Sequence, residues 1–334
     1  MGRALTLGAL VTLASTTAFA APIFTDNFTN GSTIGGASVP GGTPTASTTS
    51  YDIASTKATT NVIGSGSLSM QIAATTSGVF EAQAIFSSTP VALSSIGDSI
   101  NLRYTFTATP NILAGNAAAN SALYAGLYSS GTPSVAPLTT LASSGLTATA
   151  GSPNATGGTQ LWRGYVQRIN FTGGSSQSYT RPQQTGTNTT SANQDLVGNA
   201  AGGGLYTNPA GTAIKTGGGS VALTSGQQYT YDYTISLSNT SELTIASSLF
   251  SGTTATGSPL FTQTGTASGG TFLTSSFDGL AFGYRYSGTS GGVIQLPVNA
   301  VTVSATIVPE PASIAVVSGL GMAAVIMARR RLRT

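Results

Sequence analysis

The 334-residue chain contains no cysteine and no histidine, and only 6% of its residues are charged, against roughly a quarter in an average soluble domain. Each absence excludes chemistry. Without cysteine there are no disulfides, thiolate nucleophiles, zinc fingers or iron–sulfur clusters. Without histidine there is no Ser-His-Asp or Cys-His relay and no imidazole metal site. So few charges also exclude a tail-like protein held open by repulsion. What is abundant is glycine, at 43 residues, and serine plus threonine, which make up roughly three residues in ten, well above ordinary usage.

The net charge of +3 comes from the ends. Arg3, Arg329, Arg330, Arg331 and Arg333 are five of the 12 basic residues. Between them, and leaving out Glu310, the chain carries seven basic and eight acidic residues. A nucleic-acid binder concentrates Lys and Arg on its folded body, so nucleic acid is not an expected partner.

Residues 1–20 read as a secretory signal. Arg3 forms the positive start, Ala4–Leu13 the apolar stretch, and Ala18-Phe19-Ala20 the small-x-small cleavage site. The expected partners are the Sec machinery and signal peptidase. The alternative is a short buried helix. Residues 308–334 form a second signal. Val308, Pro309, Glu310 and Pro311 precede an uncharged apolar run, 312–328, and then Arg329, Arg330, Arg331 and Arg333. A run of 17 residues meets the lower limit for a membrane-spanning helix, and the arginines stay cytoplasmic by the positive-inside rule. Two prolines around Glu310 break any helix and leave an extended segment. The alternative is an ordinary anchor with a stiff spacer.

This order of Pro-Glu-Pro, apolar helix and Arg cluster resembles the PEP-CTERM sorting signal of Gram-negative bacteria. The resemblance covers the last 27 residues. It implies recognition by an exosortase, a membrane-embedded cysteine transpeptidase-like enzyme. It also implies cleavage near the motif and release or attachment at the cell surface, amid exopolysaccharide. The implied localisation is export, transient anchoring in the inner membrane, then the surface or matrix.

The intervening residues 21–307 show period two. Ile100, Leu102, Tyr104 and Phe106 alternate with polar residues, as do Tyr229, Tyr231, Tyr233, Ile235 and Leu237, and Leu280, Phe282, Tyr284 and Tyr286. This is strand alternation with one buried face. Further strands are expected at 68–74, 79–86, 122–128, 161–170, 242–250, 293–296 and 299–306, with a four-residue hairpin loop at Ser238–Ser241. The expected fold is all-β, an antiparallel sandwich with one polar face per sheet. Asn30–Ser50 and Gly173–Gly219 are expected to be loops, the second a long Gly/Ser/Thr/Asn-rich excursion. The stretches Ile96–Leu102, Phe277–Gly283 and Val298–Val303 also resemble other clients of this class, which carry a concanavalin-like jelly roll.

Catalysis would fall to carboxylates. Asp232 and Glu242 lie on consecutive expected strands, and a glycosidase needs two facing acids. The alternative is a solvated strand face. Asp26 or Asn27 with Asp278 would offer oxygens to calcium, or else simply cap turns. No cofactor and no further metal site is expected, and Gly202–Gly204 lacks the Lys-Ser/Thr of a phosphate loop. The strand Leu161–Asn170 holds the only tryptophan. Alternation puts Trp162, Val166 and Arg168 on one face and Arg163, Tyr165 and Gln167 on the other. Trp162, Arg163, Tyr165 and Arg168 are the candidate carbohydrate contacts; the alternative is that Trp162 is core, as tryptophan is buried on average. The expected function is a non-enzymatic, exosortase-sorted surface or matrix protein, possible partners including exopolysaccharide. The alternative is a polysaccharide-acting enzyme or carbohydrate-binding module on the same fold.

Overall fold

The computed structural model describes residues 20–29, 33–34, 50–55, 59–64, 66–74, 78–113, 121–131, 158–171, 175–183, 196–197, 212–286 and 292–308. The strands of the first half are β1 Ala21–Asp26, β2 Thr33–Ile34, β3 Ser50–Ser55, β4 Thr59–Gly64, β5 Ser67–Ala74, β6 Gly78–Ile85, β7 Val91–Ala92, β8 Ser99–Thr107 and β9 Ala122–Ser129. Those of the second half are β10 Arg163–Asn170, β11 Ser176–Arg181, β12 Ala213–Gly218, β13 Gln228–Asn239, β14 Glu242–Ser251, β15 Phe261–Ser268, β16 Ser276–Phe277, β17 Gly279–Tyr286 and β18 Gly292–Thr306. The described helical structure is one four-residue turn, Pro110–Leu113, and two short 3-10 turns.

Two eight-stranded sheets form a sandwich. The first runs β15-β14-β13-β8-β18-β5-β4, with β1 also on β18. The second runs β12-β11-β10-β9-β17-β6-β3-β2. Pairing is antiparallel except between β2 and β3, which are parallel. Tyr104 of the first sheet stacks on its neighbour Tyr231 (5.1 Å between ring centres) and on Phe282 of the second (5.2 Å). Two buried hydroxyls cross the gap to backbone carbonyls: Tyr104 donates to Tyr124 and Tyr231 to Gln167. These bonds satisfy polar groups that would otherwise be costly inside the core.

Several expectations change. The sheets differ in their outer faces. β13, β14 and β15 alternate buried with accessible positions, whereas β6 and β9 are buried at every residue. The second sheet is therefore covered on both sides at β6 and β9, though not at its edge strand β12, and the rule of one polar face fails for those two strands. The stretches expected at 293–296 and 299–306 are one strand, β18. Pro297 pairs with Ser69 of β5, and pairing to β8 begins only at Val298, so the proline sits where that side of the ladder is open. The hairpin between β13 and β14 is tighter than four residues, because Asn239 still pairs with Glu242.

The segment 173–219 contains β11 and β12. β11 lacks an apolar stripe because most of its buried groups are polar and hydrogen-bonded, and β12 lacks one because none of its residues is buried. Ser176 Oγ accepts from the Asn170 N–H (3.0 Å) and donates to the Gly219 carbonyl (2.6 Å), and Ser178 Oγ donates to Gln167. β12 then closes one side of the sandwich against β15: a Cβ at Gly265 would lie 2.8 Å from that of Lys215. Of the excursion, residues 173–174, 184–195 and 198–211 lie outside the described residues, as does most of 30–50 apart from β2.

Candidate functional site

The strand β10 was expected to carry sugar contacts. Trp162, just before it, is fully buried. Its ring lies over Gly279, where a Cβ would come within 2.5 Å of it, and 6.1 Å from the Tyr128 ring. Tyr165 is buried on the inner face. Its hydroxyl accepts the Leu273 (2.7 Å) and Thr274 (3.2 Å) N–H groups and donates to the Thr274 carbonyl. Burial raises its phenol above the usual range. Arg168 is nearly buried, donates to the Ser175 carbonyl (2.9 Å) and to Gln177, and covers the Tyr179 ring at 5.9 Å. Of the four candidates, Arg163 alone is exposed. The core reading of Trp162 is the arrangement found, and neither ring offers a face on which a sugar could stack.

The reason is a layer that alternation cannot reveal. Leu196 and Val197 sit on the outer face of the second sheet, in an apolar cluster with Tyr124, Tyr128, Trp162 and Val166. Glu81, wholly buried on β6, holds them. One carboxylate oxygen accepts the Leu196 N–H (2.9 Å) and the other the Val197 N–H (3.0 Å). Gln83 donates its amide to the same carboxylate (2.5 Å), and Tyr128 donates its hydroxyl to the Leu196 carbonyl (2.5 Å). Gly126 makes this possible, since a Cβ there would collide with the Tyr128 ring. Hydrogen bonds to a buried carboxylate are strong, and they offset the cost of removing its charge from water. Sequence reading missed Glu81, although a Glu and a Gln two apart in the otherwise apolar Gly78–Ile85 are a visible signal.

The other carboxylates are engaged one by one. Asp232 and Glu242 are not neighbours. Asp232 pairs across with Ser248, six residues along β14 from Glu242, or about 20 Å at strand rise. Asp232 instead forms an ion pair with Arg103 (2.7 Å), and Glu242 accepts from Ser238 (3.0 Å). Asp26 accepts the Phe28 N–H (2.7 Å) and the Tyr51 hydroxyl (3.0 Å). Asp278 accepts the N–H and hydroxyl of Ser130 (2.7 and 2.6 Å). Asp26 and Asp278 thus serve different segments, and among the described residues no three or more Asp or Glu side chains form a cluster that could hold a metal ion.

Asp98 has the longest reach. One of its oxygens accepts the Ser94 and Ser95 N–H groups (2.8 Å each), and the other accepts the Val308 N–H (2.7 Å). The end of the sandwich is thereby pinned at the residue before Pro309. Ala21, which follows the expected cleavage residue Ala20, pairs with Ala305, so both ends of the body lie side by side. Ala18, Pro309, Glu310, Pro311 and the arginines at 329, 330, 331 and 333 lie outside the described residues, as does 312–328. Among the described residues no helix is long and apolar enough to cross a membrane.

No protein-family model matches the chain, and no curated protein matches it. Solved structures with a related outline include peanut lectin, at 13% identity over 78% of this chain and 93% of that one, with a TM-score of 0.36. Arcelin-5, a lectin-like defence protein from Phaseolus vulgaris, gives 12% identity, 77% and 93% coverage and 0.38. An endo-1,3-beta-glucanase from Streptomyces sioyaensis gives 15% identity, 86% and 97% coverage and 0.35. Likeness at these scores assigns neither family nor activity, and the sandwich stands on its own strand topology.

Proposed function

We propose that the chain is an exported, non-enzymatic β-sandwich of the cell surface or matrix, cut from its secretory signal after Ala20 and sorted through Val308–Pro311 by an exosortase. The observation that carries this reading is the Asp98–Val308 hydrogen bond. It ties the backbone of Val308, the residue next to Pro309, to the sandwich, which supports reading the Pro-Glu-Pro motif as adjoining the folded body. Support for a non-catalytic role comes from the carboxylates. Asp26, Glu81, Asp98, Asp232 and Asp278 are each occupied by donors of the domain itself, and a hydrolase that works with two acids needs both facing its substrate.

Intact-mass measurement on envelope material from producing cells tests the reading. The expected species lacks residues 1–20 and the arginine tail, and Glu310→Ala accumulates a membrane form that keeps the tail. A dominant wild-type species retaining Arg329–Thr334 overturns it.

A further inference from the structure

We infer that the outer face of the first sheet is a binding surface for neutral, insoluble polysaccharide. The register of five strands aligns outward-facing residues in rows. One row reads Thr266, Thr244, Ser236, Ser99 and Thr306 from β15 across to β18. The next carries Thr264, Thr234 and Ser304, and the third Thr262, Ser248 and Thr302. Eleven of these fifteen positions bear a hydroxyl. The three threonines of β15 are exposed and the others partly so. Sheet geometry spaces them about 4.8 Å across the strands and about 6.8 Å along them. The residues between them face the core, which holds the lattice rigid; Leu243, Ile245 and Leu249 of β14 are buried.

Charge decides the partner. Soluble domains are designed with roughly 25–35% charged residues on their water-facing surface. This lattice has one Arg and one Asp, Arg103 and Asp232, and they neutralise each other at 2.7 Å. Asn101 donates to the same Asp232 carboxylate (3.1 Å) and to the Thr234 hydroxyl (2.8 Å). A polyanion finds no array of cations here, and an apolar protein face finds only Ala246 within the lattice. Hydroxyls both donate and accept. The complementary partner is therefore uncharged, flat and itself a repeated array of hydroxyls. Single contacts of this kind are weak in water, and a repeating partner makes them add. This surface is independent of how the chain is processed, so its test and that of the sorting reading fail separately.

The test is co-sedimentation of the full chain, purified in detergent, with microcrystalline cellulose, and with calcium alginate beads as the polyanionic comparison. The expected result is retention on cellulose that salt does not weaken, because no charge is involved. Replacing Thr262, Thr264 and Thr266 by Val keeps shape and strand propensity but removes three hydroxyls, and should weaken retention about tenfold or more, whereas Ser at the same positions keeps it. Should circular dichroism show the triple variant unfolded, Thr264→Glu at its exposed position serves instead and should likewise lose retention. Wild-type retention on alginate alone, or on neither material, overturns the inference. So does a folded Val or Glu variant that binds cellulose like the wild type.

Discussion

Trp162 occupies a slot that only glycine at position 279 leaves open, so its removal leaves a cavity that the sheet backbone cannot fill. Trp162→Ala should cost about 3–5 kcal/mol, read from denaturant unfolding; a loss below about 1 kcal/mol would mean the ring is not packed as described. The sequence shows half of this. Alternation separates Tyr165 from Trp162 and Val166, and the structure keeps them in separate clusters. It is silent on whether the outer cluster meets water, because that depends on Leu196 and Val197, some 30 residues further along the chain and in a segment without pattern. Asp98 is similar. Nothing around Ile96-Gly97-Asp98 announces that its carboxylate serves the Val308 N–H, since that partner is 210 residues away.

At the scale of elements, strands with an apolar stripe were legible and strands stabilised by polar contacts were not. β8, β13 and β17 follow from period two alone. β11 does not, because serine and glutamine hydrogen bonds replace the stripe, and β12 does not, because none of its residues is buried. The cover on the second sheet belongs to the same class, since two backbone N–H groups and one carboxylate secure it. Glu81→Ala should release this contact without unpairing β9 and β10. Amide hydrogen exchange at Leu196 and Val197 should then rise about tenfold or more while that of Tyr165–Ile169 stays slow. Unchanged protection at Leu196 and Val197 would show that the apolar cluster alone holds them.

For the whole molecule, burial pushes the phenols of Tyr51, Tyr104, Tyr231 and Tyr233 well above their usual range, with Asp26 adding to the effect at Tyr51. The folded state then keeps protons that the unfolded chain releases above about pH 10. The stabilisation is complete below that pH and is lost as pH rises toward the folded values. Thermal melts should therefore be level between about pH 5 and 8, where no histidine titrates, and fall steeply above about pH 10. A transition centred near neutral pH would contradict this. The arrangement of β18 has a further consequence, one of timing. It is bonded to β8 along one side and to β5 and β1 along the other, yet it follows every other described strand. A nascent chain that has reached Tyr286 has β8 and β5 without their shared neighbour and β1 with no sheet to join. The first sheet cannot close until residues 292–306 arrive, and pairings this distant in sequence form slowly. Until then β5 and β8 each present an unpaired edge where β18 will lie, and such edges make an unfinished chain prone to aggregation.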